Sequence, residues 1–120
     1  MRRFWDRSEY WIKRGDTARA ARSWHIAARC YRNALKHNPD LAPIWVQYGH
    51  ALKESGRMLE ADAAYRRSLA ISPNVADTYL QLGHLQKVQG DIAEAAESYA
   101  AALRRDHGGR RGGGAARPRP

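Results

Sequence analysis

The chain has 120 residues, 43% of them apolar and 28% charged, with a formal net charge of +9. That is enough for one domain, and no run of apolar residues reaches the length of a membrane-spanning helix. The single cysteine, Cys30, excludes an internal disulfide framework. The start, MRRFWDRSEYW, has arginines but no apolar stretch behind them, so no secretory signal is expected and a reducing, cytoplasmic compartment is.

In chain order, residues 1–7 read as a short extension. Helix pairs are then predicted at about 8–21 with 24–37, 42–55 with 58–71, and 76–89 with 92–105. The pairs are copies of one another at a spacing of 34 residues. Trp11, Trp45 and Tyr79 align, followed by Gly15, Gly49 and Gly83, then Ala27, Ala61 and Ala95, then Tyr31, Tyr65 and Tyr99. Ala34, Ser68 and Ala102 match as small residues, and Leu35, Leu69 and Leu103 follow them. Pro39 and Pro73 close the first two copies, while His107 stands in the proline place of the third.

Each column has a physical reason. Glycine lets the second helix of a pair approach the first, because it has no Cβ. The alanine fills the other side of that contact and the tyrosine covers it. Trp45, Gly49, Ala61 and Tyr65 are therefore expected to be buried together, as are Tyr79, Gly83, Ala95 and Tyr99. Proline ends the second helix, and Asp40 and Asn74 are placed to cap the next one. Gly56 and Gly90 suit left-handed helix ends, where the first copy has Arg22 and Ser23 instead.

This signature resembles the tetratricopeptide repeat. The resemblance covers residues 8–107 as three repeats, 8–41, 42–75 and 76–107. It implies an all-α fold, a right-handed α-solenoid of three helix-turn-helix units. It also implies a protein–protein interaction module in which the first helix of each pair lines a concave groove. Residues 108–120, dense in Gly, Arg and Pro, form a basic tail expected to be disordered.

Charge is unevenly spread. Residues 1–41 carry a net +6, residues 42–103 a net −2 and residues 104–120 a net +5. A basic tail can attract phosphate backbones, but this one has no aromatic residue for base stacking, so nonspecific nucleic-acid binding ranks last among the readings.

The candidate site lies inside the repeats. Gln47, His50 and Lys53 recur one period later as Gln81, His84 and Lys87, in the strings QYGHALK and QLGHLQK. Their spacing keeps each set along one helical face. In the family resembled, these positions face the groove. Amides, imidazoles and ammonium groups in a row suit an extended peptide or protein partner. Tandem copying with no ligand would leave the same recurrence.

The family's carboxylate clamp needs Lys and Asn on the first helix, Asn on the second and two cations on the third. Ile12, Asp16, Gln47, Asp77 and Gln81 occupy those places, so the clamp is absent. His50 and His84 supply at most two metal ligands, and Cys30 belongs to another helix, so no metal or cofactor is expected. Ser68 and Ser98 sit on helices without a His–Asp set, and no phosphate loop occurs, so no enzyme is expected.

The runs IWVQYGHALKESG and YLQLGHLQKVQG are similar to repeats found ahead of catalytic domains in bacterial glycosyltransferases. That resemblance implies either a remnant or an accessory segment of such a system, and in the latter case a glycosyltransferase as partner. Finally, Leu85, Val88, Ile92 and Leu103 have no following helix to cover them, so the last helix is expected either to self-associate or to dock on another protein.

Overall fold

The structure, a computed structural model, describes residues 6–116, and the side chains of residues 7–106. The described residues form six helices: α1 (Asp6–Ala20), α2 (Trp24–His37), α3 (Ala42–Glu54), α4 (Met58–Ile71), α5 (Ala76–Gln89) and α6 (Ile92–Ala116). No strand occurs among the described residues. Helices pack in the pairs α1–α2, α3–α4 and α5–α6, and α2 also packs on α3. The fold is an all-α helical repeat.

The chain divides into two compact units, Met1–Ile71 with α1–α4 and Ser72–Pro120 with α5 and α6.

The pairs form because small residues allow close approach. In α2 the buried residues Ala27, Ala28, Tyr31, Ala34 and Leu35 make one apolar stripe at helical spacing. A Cβ placed on Gly15, Gly49 or Gly83 would lie 2.7, 2.8 or 2.8 Å from Cε1 of Tyr31, Tyr65 or Tyr99. No side chain fits there unless the ring moves. Ala61 and Tyr65 are fully buried as expected, and so is Ala95, but Trp45, Tyr79 and Tyr99 are only half-buried. The two first-helix aromatics have polar work at the edge. Trp45 Nε1 donates to the Pro39 carbonyl at 2.8 Å, and Tyr79 Oη donates to the Pro73 carbonyl at 2.9 Å. Each aromatic thus ties the start of its helix to the proline turn before it.

The turns inside the three pairs are built alike. Ser23, Arg57 and Asp91 donate their N–H to the carbonyls of Ala18, Leu52 and Gln86 at 2.8, 2.8 and 2.9 Å. Arg22, Gly56 and Gly90 donate to Arg19, Lys53 and Lys87. This six-to-one and five-to-two pattern is the Schellman ending, which requires a left-handed residue. Gly56 and Gly90 supply it with φ of +83° and +89°, and in the first repeat Arg22 adopts φ +59°.

One expectation about the helix ends is corrected. Asp40 and Asn74 do not cap the following helices; Leu41 and Val75 occupy those places and no side-chain cap bond forms. The helices begin at Ala42 and Ala76, as the spacing predicts, and the turn before α3 is closed by Asn38 Oδ1, which accepts from the Asp40 N–H at 3.3 Å. The backbone of α6 is drawn as helix to Ala116. Residues 1–5 of the expected extension and residues 117–120 of the tail lie outside the described residues.

Candidate groove-facing site

The six candidate residues fall into two sets, one in each compact unit. In the first unit, Gln47, His50 and Lys53 lie along α3 and all three are half-buried. In the second, Gln81 is half-buried on α5, whereas His84 and Lys87 are exposed. Within each helix the residues are one turn apart and share a face.

The histidines are held by aromatic neighbours. The His50 ring meets Trp24 of α2 edge to face, with centroids 5.1 Å apart. Burial lowers the His50 pKa from its ordinary value, and the Lys53 and Arg19 charges push the same way against Glu54. His50 is therefore biased toward the neutral imidazole. His84 Nδ1 shares a 2.9 Å hydrogen bond with Tyr99 Oη, from the second helix of its own pair. That bond sets the direction of the ring and leaves Nε2 as its second polar atom.

The first repeat has a network that sequence reasoning missed. Asp16 stands one period before His50 and accepts from Tyr31 Oη at 2.6 Å. Arg19 Nε donates to the same hydroxyl at 3.0 Å, and its Nη2 lies 3.4 Å from Asp16 Oδ1. Burial and the Asp16 bond push the Tyr31 phenol up to about 12, against the opposing effect of Arg19. Asp16–Tyr31 and His84–Tyr99 are the same pair of repeat positions with different chemistry. The signal was available, since Arg19, Lys53 and Lys87 are spaced by 34 residues and put one cation in every repeat.

Other polar candidates turn out to be packing devices. Ser68 Oγ is buried and donates to the Ala42 carbonyl at 2.8 Å, joining α4 to the start of α3. Ser98 Oγ donates to Gln86 Oε1 at 2.6 Å, also in a buried setting. Among the described residues no group of three or more His, Cys, Asp or Glu side chains is placed to hold a metal ion, and no helix is long and apolar enough to cross a membrane.

Solved structures share this fold at low sequence identity. The chain is similar to the TPR2B domain of yeast Sti1 in its complex with pHsp70, with a TM-score of 0.84 and 23% identity, covering 91% of this chain and 87% of that one. It is similar to MamA, with a TM-score of 0.81 and 19% identity over 86% of this chain; it spans only 60% of the MamA chain. The CopN–Scc3 complex gives a TM-score of 0.78 at 18% identity, covering 82% of this chain and 58% of that one. No curated protein sequence matches. Tetratricopeptide repeat models match residues 12–76 and residues 76–106. With more than half of its length in the first match alone, the chain belongs to the tetratricopeptide repeat family.

Proposed function

We propose that the chain is a binding module for a protein or peptide segment that carries carboxylates, taken by the polar faces of the first helices. The fold itself serves protein–protein interaction. The observation that carries the finer reading is the cation repeated at each period, Arg19, Lys53 and Lys87, with amides at Gln47 and Gln81. Amides pair with a peptide backbone and ammonium groups with carboxylates. His50 and His84, held by Trp24 and Tyr99, add fixed polar atoms to the same faces. This arrangement is distinct from the family's clamp, whose cation places hold Asp77 and Gln81.

The test is capture of native host proteins by the purified chain, compared with a variant carrying Lys53→Glu and Lys87→Glu. Binding should be lost while the helical signal and a cooperative unfolding transition are retained; at the exposed Lys87 the reversal should change stability by no more than about 0.5 kcal/mol. Capture that survives both reversals would remove the groove reading.

A second reading rests on the strings IWVQYGHALKESG and YLQLGHLQKVQG, which are similar to repeats in bacterial glycosyltransferase systems. It makes the captured partner a glycosyltransferase. Identification of the retained proteins by mass spectrometry decides between that partner and any other.

A further inference from the structure

The first and the last helix pair present unlike surfaces. In unit 2, α5 and α6 frame an open cleft of about 460 Å³ whose lining includes Asp77, Leu80, Tyr99, Ala102, Leu103 and Asp106. The first repeat shows what such a cleft normally receives. Leu35 of α2 occupies the repeat position of Leu103 and is 5% exposed, in the helix on which α3 packs. Leu103 is 61% exposed. Tyr31 and Tyr99 differ in the same direction, the first fully buried and the second half-buried. The cleft therefore has the shape and apolar lining of a seat for a first helix of the repeat, and among the described residues no helix follows α6.

The other end offers such a helix. The outer side of α1 and α2 forms an open surface that includes Tyr10, Lys13, Arg14, Thr17 and Ile26. Tyr10 and Ile26 are 54% and 53% exposed, large values for apolar side chains. Thr17 is also exposed, whereas Ala51, one period later in α3, is fully buried. The face that α3 buries is thus left uncovered on α1. Its cations also complement the cleft. Lys13 and Arg14 line the first surface, and Asp77 and Asp106 line the second. Arg105, next to Asp106 in sequence, is turned back onto the Tyr79 ring at 4.2 Å and donates to the Pro73 carbonyl.

We propose that a second copy of this chain occupies the cleft, with its α1 face seated between α5 and α6 in the manner of the next repeat. The contact is heterologous, one face meeting a different face, so it can propagate from copy to copy. It uses the ends of the array and is independent of the groove reading above.

Sedimentation velocity on the full chain tests this over roughly a hundredfold range of concentration. The mean mass should rise with concentration at fixed salt. Leu103→Glu blocks the cleft and Arg14→Glu reverses the α1 face. Each variant alone should remain a monomer, while an equimolar mixture should form a species of twice the monomer mass and nothing larger. Should Leu103→Glu fail to fold, Asp77→Lys takes its place. A wild-type chain that stays monomeric throughout overturns the proposal. So does an Arg14→Glu variant that associates like the wild type, or a mixture that remains monomeric.

Discussion

Gln86 Oε1 accepts a 2.6 Å hydrogen bond from Ser98 Oγ at the two repeat positions where the preceding repeat has Leu52 and Ala64, all four side chains being buried. A hydrogen-bonded polar pair thus replaces an apolar pair in the same architecture. Gln86 Nε2 also reaches Glu94 Oε1 at 3.5 Å, which gives the amide a second partner. Ser98→Ala should destabilise the chain by about 1–3 kcal/mol, because it leaves a buried amide oxygen unpaired. Adding Gln86→Leu should recover most of that loss, since the double variant reproduces the Leu52 and Ala64 chemistry. Urea denaturation of the two single variants and the double variant measures the coupling.

The glycine–tyrosine contact predicts unequal costs in the repeats. Gly49→Leu drives a side chain into Tyr65, which is fully buried and has nowhere to go. Overpacking of this kind costs about 1–3 kcal/mol or more. Gly83→Leu meets Tyr99, which is half-buried and can swing outward, so its loss should be smaller. Melting temperatures of the two variants check the order. Equal temperatures, or an unchanged Gly49→Leu protein, would contradict the packing described.

Arg22 holds a left-handed conformation that the other two repeats give to glycine. A side chain there costs roughly 1–2 kcal/mol relative to an unstrained backbone, part of which is returned by the lower entropy of a non-glycine unfolded chain. Arg22→Gly is therefore expected to stabilise the protein by about 1 kcal/mol. Chemical denaturation should show a higher midpoint with the same slope.

His50 supplies a pH test. Its pKa is lowered in the fold, first by burial and then by Lys53. The unfolded chain binds the proton more readily, so this residue's contribution to stability is present above pH 6.5 and is lost as pH falls from 6.5 through the folded value. The His50 ring signals in a proton NMR titration should have a midpoint below 6.5. Lys53→Glu exchanges a repelling charge for an attracting one and should move that midpoint upward. A midpoint at or above the ordinary value in the wild type would mean that the Trp24 contact does not desolvate the ring.

The period of 34 residues was enough to establish the class of fold, the six helices and the glycine–tyrosine contact. These depend on residue type at fixed spacing, and a helix repeats that spacing faithfully along its own axis. The same logic placed Gln47, His50 and Lys53 on one face of α3, and Gln81, His84 and Lys87 on one face of α5. It did not reveal that Trp24 packs on His50 or that Tyr99 bonds His84, because each partner comes from a different helix. Nor did spacing show that Arg22 would adopt a glycine conformation, or that Gln86 would be buried. In both cases the packed pair overrides the residue's own preference: the turn between two docked helices dictates the backbone at Arg22, and Ser98 supplies the bond that makes a buried amide tolerable. Leu35 and Leu103 illustrate the division between the two sources. They occupy the same column of the repeat, and only the packing of a neighbouring helix buries one and leaves the other 61% exposed.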